Sequence, residues 1–121
     1  MALSQKLAKL EKLANLLGYQ VVPGKENTWC PHNRLITINT RQSPIKRAWA
    51  MAHEIGHLKT YRLCKKELGK RVFSSPAHTW PSLETEFRAW READKLIRKL
   101  GLFNDAYLKH KHHCIRSYYC S

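Results

Sequence analysis

The sequence predicts a single small α+β domain with an N-terminal helix, a short antiparallel sheet and two further helices. Its 121 residues are enough for one hydrophobic core. A hydrophobic content of 43% with 26% charged residues is typical of a folded domain. Some segments space their apolar residues as a helix does and others as a strand does, and the sequence contains no internal repeat. We expect residues 1–121 to form one domain, with a core at about 19–101 and a basic tail containing His and Cys at 102–121.

The first third of the chain predicts a helix followed by strands. Apolar residues recur every three or four positions over 3–17, which is the spacing of one helix face, and Gly18 is placed to end that helix. Residues 19–22 predict a short strand, and 24–33 predict a loop or hairpin turn. Residues 34–40 alternate and are rich in β-branched side chains, which makes them the clearest strand of the chain.

The rest of the chain predicts two long helices. The first begins at a serine–proline pair and covers about 44–69. Serine and proline residues indicate a loop over 70–82, and a further helix is expected over about 83–100, closed by glycine. In the tail we expect a short helix and then no regular structure over 109–113.

The chain carries a formal net charge of +13. The basic residues are spread along the whole sequence and do not form one cluster. Such a distribution predicts a solvated basic surface with weak, non-specific attraction to nucleic acid.

Several features predict a cytoplasmic protein without a membrane partner. No apolar run approaches the ~20 residues that span a bilayer. Charged residues such as Lys9 and Glu11 interrupt the N-terminal apolar pattern, unlike in a signal peptide. The four cysteines contain no C-x-x-C pair, and we expect free thiols.

The motif H-E-x-x-H at residues 53–57 carries the clearest chemistry of the sequence. On a helix, His53 and His57 project from one face, and their spacing suits two nitrogen ligands of one zinc ion. Glu54 lies about a quarter turn away, where its carboxylate can accept a proton from water without binding the metal. By chance, a chain of this composition would contain roughly 0.02 such motifs. The alternative is a helix whose two histidines are ordinary core or surface residues.

A hydrolytic zinc site needs a third protein ligand. The helix after the motif offers Glu84, Glu86 and Glu92. Helical phase places Glu86 at the margin of the apolar face, Glu84 on the solvated ridge, and Glu92 pointing away from the core. A carboxylate beside an apolar face is costly unless it is paired or binds a metal. We therefore predict Glu86 as the third ligand, the alternative being an ion pair with a surface lysine or arginine.

Three further residues are secondary candidates. His78 could be an alternative third ligand or could bind a developing oxyanion, but an ordinary exposed histidine fits its loop position as well. Tyr61 could also donate to an oxyanion, although a packed tyrosine is the simpler interpretation. Asp94 could orient a ligand histidine or could contact a loop or the chain terminus. The histidines and cysteines over 110–120 suggest, as a further hypothesis, a second metal site in the tail.

Three segments together resemble the ImmA/IrrE-type metallopeptidases. They are the strand RLITIN, the helix segment AMAHEIGHL, and the segment EFRAWREA that begins at Glu86. In the last segment, Ala89 and Ala93 match the small residues of the family's later motif. The similarity covers about 34–100, and these proteins are small gluzincin-like zincins common in phages, mobile elements and bacterial repressor operons.

The resemblance implies a zincin-like fold and a function. It implies zinc bound by His53, His57 and Glu86, with Glu54 as general base, and proteolysis of a partner such as a transcriptional repressor. The alternative is a basic, metal-containing protein that binds nucleic acid or a protein partner without proteolysis. A structural zinc site requires no glutamate between its ligands, so Glu54 distinguishes the two. We expect a substrate strand to pair along the edge of the strand at 34–40.

Overall fold

The computed structural model describes residues 2–68 and 82–119, and these residues form an α+β fold, as predicted. Within them, no helix is both long and apolar enough to cross a membrane. The elements in chain order are α1 (Leu3–Leu16), β1 (Gln20–Gly24), β2 (Thr28–Cys30), β3 (Leu35–Asn39), α2 (Pro44–Leu68), α3 (Ser82–Lys99) and α4 (Asp105–Tyr119).

The three strands form a mixed sheet in the order β1-β3-β2. β2 and β3 are an antiparallel hairpin pair in which Trp29 lies opposite Ile36, whereas β1 pairs with β3 in parallel. β1 and β3 are parallel because the chain reverses its direction twice between them, once between β1 and β2 and once between β2 and β3. β3 is therefore the central strand and has no free edge. The expectation that a substrate pairs along the edge of this strand is wrong.

The buried side of the sheet packs against α2. Ile36 and Ile38 alternate along β3 and are buried, and they meet the apolar face of α2, on which Ile55 and Leu58 are fully buried. This packing places the motif helix directly over the central strand. As the serine–proline start predicts, the backbone N–H of Lys46 donates to Oγ of Ser43 at 3.4 Å.

Gly56 brings α2 and α3 into close contact. A Cβ at this position would overlap the backbone carbonyl oxygen of Ala89 and lie 2.9 Å from its carbonyl carbon. Glycine therefore allows the two helices to touch backbone to backbone. Since Glu86 precedes Ala89 by about one turn of α3, the same contact places Glu86 beside α2.

The tail is helical, and the expectation of irregular structure over 109–113 is wrong. α4 is anchored by Tyr107, which is fully buried and contacts the ring of Trp49. Its start is capped by Asn104, whose side-chain oxygen accepts the Tyr107 N–H at 2.9 Å. A continuous run of lysines and histidines at 109–113 separates the apolar residues of α4, so its helical pattern is weak in sequence. Tertiary packing forms this helix.

Candidate metal centre

Three donor side chains converge between α2 and α3. Nε2 of His53 lies 2.9 Å from one carboxylate oxygen of Glu86, and Nε2 of His57 lies 2.9 Å from the other. The ligand atoms of the three residues all lie within 4.8 Å of one another. Their side chains are each only 13–14% exposed. The structure thus brings together the three residues that the sequence predicts as metal ligands.

The donor set fits a zinc ion. Two imidazole nitrogens and one carboxylate oxygen are ligands that zinc prefers. Three protein donors are also the number found in catalytic zinc sites, which keep a fourth position for water or substrate. A structural site would have four protein donors, and no fourth residue belongs to this group among the residues that the structure describes.

We call His53, His57 and Glu86 the donor trio; within it, the two histidines favour the ionised form of the Glu86 carboxylate. Burial alone would raise the pKa of Glu86, but hydrogen bonds from His53 and His57, together with their charges, lower it to about 2. Burial alone would lower the pKa of His57, but the hydrogen bond to Glu86 and the negative charges of Glu54 and Glu86 raise it. A proton therefore competes with a metal for the imidazole of His57, and metal binding should release it.

Glu54 occupies a different environment from Glu86. Its residue surface is only 6% exposed, and burial, the largest effect, raises its pKa; the nearby histidines oppose this rise and Glu86 adds to it. Its carboxylate lies 3.9 Å from Nδ1 of His53, on the side away from the Nε2 atom that faces Glu86. A buried carboxylate with a raised pKa, beside the donors but outside their group, suits a group that accepts and returns a proton.

Two tryptophans stack on the imidazole rings. The ring of Trp90 lies 4.1 Å from that of His53, with 11° between their planes. The ring of Trp29 lies 5.7 Å from that of His57, with 9° between the planes. These contacts restrict the rotation of both imidazoles. Sequence reasoning missed the contact of Trp29, because β2 is too short to show a strand pattern.

The secondary candidates lie in different places. Tyr61 packs edge-on against Trp29, with ring centres 5.3 Å apart. Asp94 accepts hydrogen bonds from the Tyr107 hydroxyl at 2.6 Å and from Lys111 Nζ at 2.7 Å, so it joins α3 to α4. Of the two predicted roles, this is the contact with the C-terminal part of the chain and not the orientation of a ligand histidine. His78 lies outside the described residues.

The remaining acidic and tail residues that the structure describes do not join the three donors. Glu92 pairs with Lys95 at 3.1 Å, and the side chain of Glu84 is outside the described part. In α4, Nε2 of His110 lies 3.7 Å from Sγ of Cys114. Over the described residues, however, no third donor completes a metal group there. The second metal site stays a hypothesis.

Comparison with known proteins gives one match. The model of a peptidase family, described as the IrrE N-terminal-like domain, matches residues 14–90. This segment covers more than half of the chain and includes the H-E-x-x-H motif, Glu86 and both stacking tryptophans. Neither the curated proteins nor the solved structures contain a significant match.

Proposed function

Because the chain belongs to the peptidase family of the IrrE N-terminal-like domain, we propose that it is a zinc-dependent peptidase that hydrolyses a peptide bond in a protein substrate. One observation carries the proposal. His53, His57 and Glu86 present three converging donors, and the buried carboxylate of Glu54 lies beside them without joining them. This division separates a metal-holding role from a proton-accepting role.

In this proposal each residue has a defined task. His53, His57 and Glu86 hold the ion, and the zinc ion supplies Lewis acidity that acidifies water and polarises a substrate carbonyl. Glu54 accepts the proton of the attacking water and passes it to the leaving amine. The raised pKa of Glu54 supports the first of these steps, since a carboxylate of ordinary pKa would hold the transferred proton only weakly at neutral pH.

The edge strand β2 is the proposed docking strand for the substrate. Among the residues that the structure describes, β2 pairs with a strand on one side only, and its outer backbone edge is the one proposed to take up an extended peptide. Its central residue, Trp29, contacts both His57 and Tyr61. A peptide paired with β2 would therefore pass close to the donor trio.

The substrate class follows from the resemblance to ImmA/IrrE-type peptidases. We propose a regulatory protein such as a transcriptional repressor, cleaved in the cytoplasm. The free thiols of Cys30 and Cys114 support a reducing compartment.

The alternative function, a metal-containing binding protein without proteolysis, gains less support. Burying a carboxylate costs free energy, and a purely structural site has no need of one at position 54. A structural site would also be expected to have four protein donors.

Glu54→Gln tests the proposal, with Glu92→Gln as the matched control on α3. The amide keeps the shape of the side chain but cannot accept the proton of water, so we expect full metal content and a loss of turnover on the order of 10²–10⁴. Metal analysis of the purified proteins would be combined with mapping of new protein N-termini in expressing cells. New N-termini should appear with wild type and Glu92→Gln only. Identical N-termini with Glu54→Gln, or a wild-type protein that binds no zinc, would contradict the proposal.

A further inference from the structure

The exposed side chains of the described part of α3 are almost all cationic. Over residues 85–99, every exposed residue except Phe87 is lysine or arginine. We call these residues the basic face of α3: Arg88, Arg91, Lys95, Arg98 and Lys99. The exposed residues of α1 differ, because they also include Ser4, Glu11, Asn15 and Leu16.

Folding, rather than composition, creates this face. α3 contains five basic and four acidic residues, so its sequence charge is almost balanced. The structure turns Glu86 towards the two histidines and pairs Asp94 with Lys111 of α4. Glu92 is 17% exposed and contacts Lys95, whose own side chain is 66% exposed. Glu86 and Asp94 thus pair away from this face, Glu92 is largely covered beside Lys95, and the basic side chains are exposed.

The basic face has the form of a phosphate-binding surface. Its cations recur about once per helical turn, and at 1.5 Å per residue the face extends about 16 Å along α3. Three of its five members are arginines, which bind phosphate oxygens through paired N–H groups. The guanidinium carbon of Arg98 lies 3.8 Å from the ring centre of Phe103, a contact that restricts this side chain before any ligand arrives.

We propose that the basic face of α3 binds the phosphate backbone of duplex DNA without reading its sequence. Duplex DNA offers one negative charge per about 1.7 Å of axis, so several cations of the face can be neutralised together. An acidic protein surface fits less well, because protein interfaces depend on buried apolar and aromatic anchors and Phe87 is the one such residue exposed over 85–99.

The position of the face leaves the metal centre open. With about 100° per residue, Glu86 lies on nearly the opposite side of α3 from Arg88 and Lys95. DNA bound outside α3 would therefore not cover the donor trio, and DNA binding does not depend on the proposed peptidase activity.

The test compares two pairs of exposed helical lysines of equal charge. Lys95→Gln/Lys99→Gln removes two charges from the basic face, and Lys9→Gln/Lys12→Gln removes two from α1. Affinity for a fluorescent 20-base-pair duplex of arbitrary sequence would be measured over a range of salt concentrations. The slope of log K against log salt is negative, and each lost phosphate contact makes it shallower by ~0.9. We expect the slope to become shallower by about 1.8 in the α3 variant and to stay close to wild type in the α1 variant.

Three results would overturn the proposal: equal losses in the two variants, a wild-type protein without measurable DNA affinity at 0.1 M salt, or polyglutamate competing as well as unlabelled duplex. Circular dichroism and zinc content verify that both variants fold. Glu54→Gln should bind DNA like wild type, so failure of this proposal and failure of the peptidase proposal are distinguishable.

Discussion

At the scale of single residues, the site depends on two carboxylates in contrasting environments. Glu86 is drawn into hydrogen bonds with two imidazoles, and its pKa falls to about 2. Glu54 is more deeply buried and lies outside that group, and its pKa rises. Groups whose environments move their pKa values apart commonly have different chemical roles. The position of Glu86 around the predicted helix indicated that it would face the histidines. In the structure Glu86 lies one turn of α3 before Ala89, whose backbone contacts Gly56, and its carboxylate lies beside both imidazoles.

Trp29 should support metal binding by holding the ring of His57. We expect Trp29→Ala to lower zinc affinity about tenfold or more, because residues that orient a ligand histidine typically contribute 10–100-fold. Trp29→Phe keeps an aromatic face for stacking and should restore most of the affinity. Competition with a chelating dye measures both variants. If the alanine and phenylalanine variants lost equal affinity, stacking would not be the reason.

At the scale of elements, the long helices were predictable, but β2 and α4 were not. α2 and α3 show continuous helical spacing, α2 starts at the pair Ser43-Pro44, and Gly101 follows α3. The observed bounds of both helices differ little from those predicted. β2 has only three residues and forms through its pairing with β3. α4 depends on contacts from other elements: Asp94 of α3 binds Tyr107 and Lys111, and Trp49 of α2 contacts Tyr107 and His110. The sequences of β2 and α4 by themselves do not indicate these contacts with distant residues.

The helix pair α2·α3 should be intolerant of a side chain at position 56. In a helix interior, Gly→Ala normally stabilises by about 1 kcal/mol. Here the added methyl group would overlap the backbone of Ala89, so we expect Gly56→Ala to lower the free energy of unfolding and to weaken zinc binding, since Glu86 would move away from the histidines. Urea denaturation and zinc titration measure the two effects. A stabilised variant with normal zinc affinity would contradict the close helix contact.

α4 should make stability depend on pH through His110. Burial, and then the positive charges of Lys46, His53 and His113, lower the pKa of His110. Below about pH 6.5 the unfolded chain takes up a proton at this residue that the folded chain does not, so the free energy of unfolding should decrease as the pH falls. His110→Gln should reduce this decrease, whereas His112→Gln, at an exposed position of the same helix, should not. Urea midpoints at pH 5.5 and 7.5, with a chelator present, measure the difference; equal pH dependence in wild type and His110→Gln would exclude this role.

At the scale of the whole molecule, the metal donors link parts of the chain that are far apart in sequence. The trio joins α2, which packs on the sheet, to α3, which holds α4 through Asp94. The spacing of the H-E-x-x-H motif predicted His53 and His57 as donors, and the position of Glu86 around the next predicted helix indicated the third. The two stacking tryptophans come together only when separate elements meet, which is why sequence reasoning left Trp29 in a loop. The basic face of α3 lies on one helix, but neighbouring elements decide which acidic side chains are turned away from it, so sequence reasoning described the charge as dispersed.

This linkage predicts that zinc stabilises the entire fold. A ligand that binds only the folded state raises the free energy of unfolding by about 2.7 kcal/mol at a free concentration of 100 Kd. We therefore expect zinc to raise the thermal midpoint of the wild-type protein, and a chelator to lower it. Glu86→Ala removes one donor of three and should abolish most of the response, whereas Glu92→Ala, on the same helix but paired with Lys95, should respond like wild type. Scanning calorimetry with and without zinc measures the shifts. An equal zinc response in Glu86→Ala and wild type would exclude Glu86 as a ligand, because the ion would then stabilise the fold through other residues.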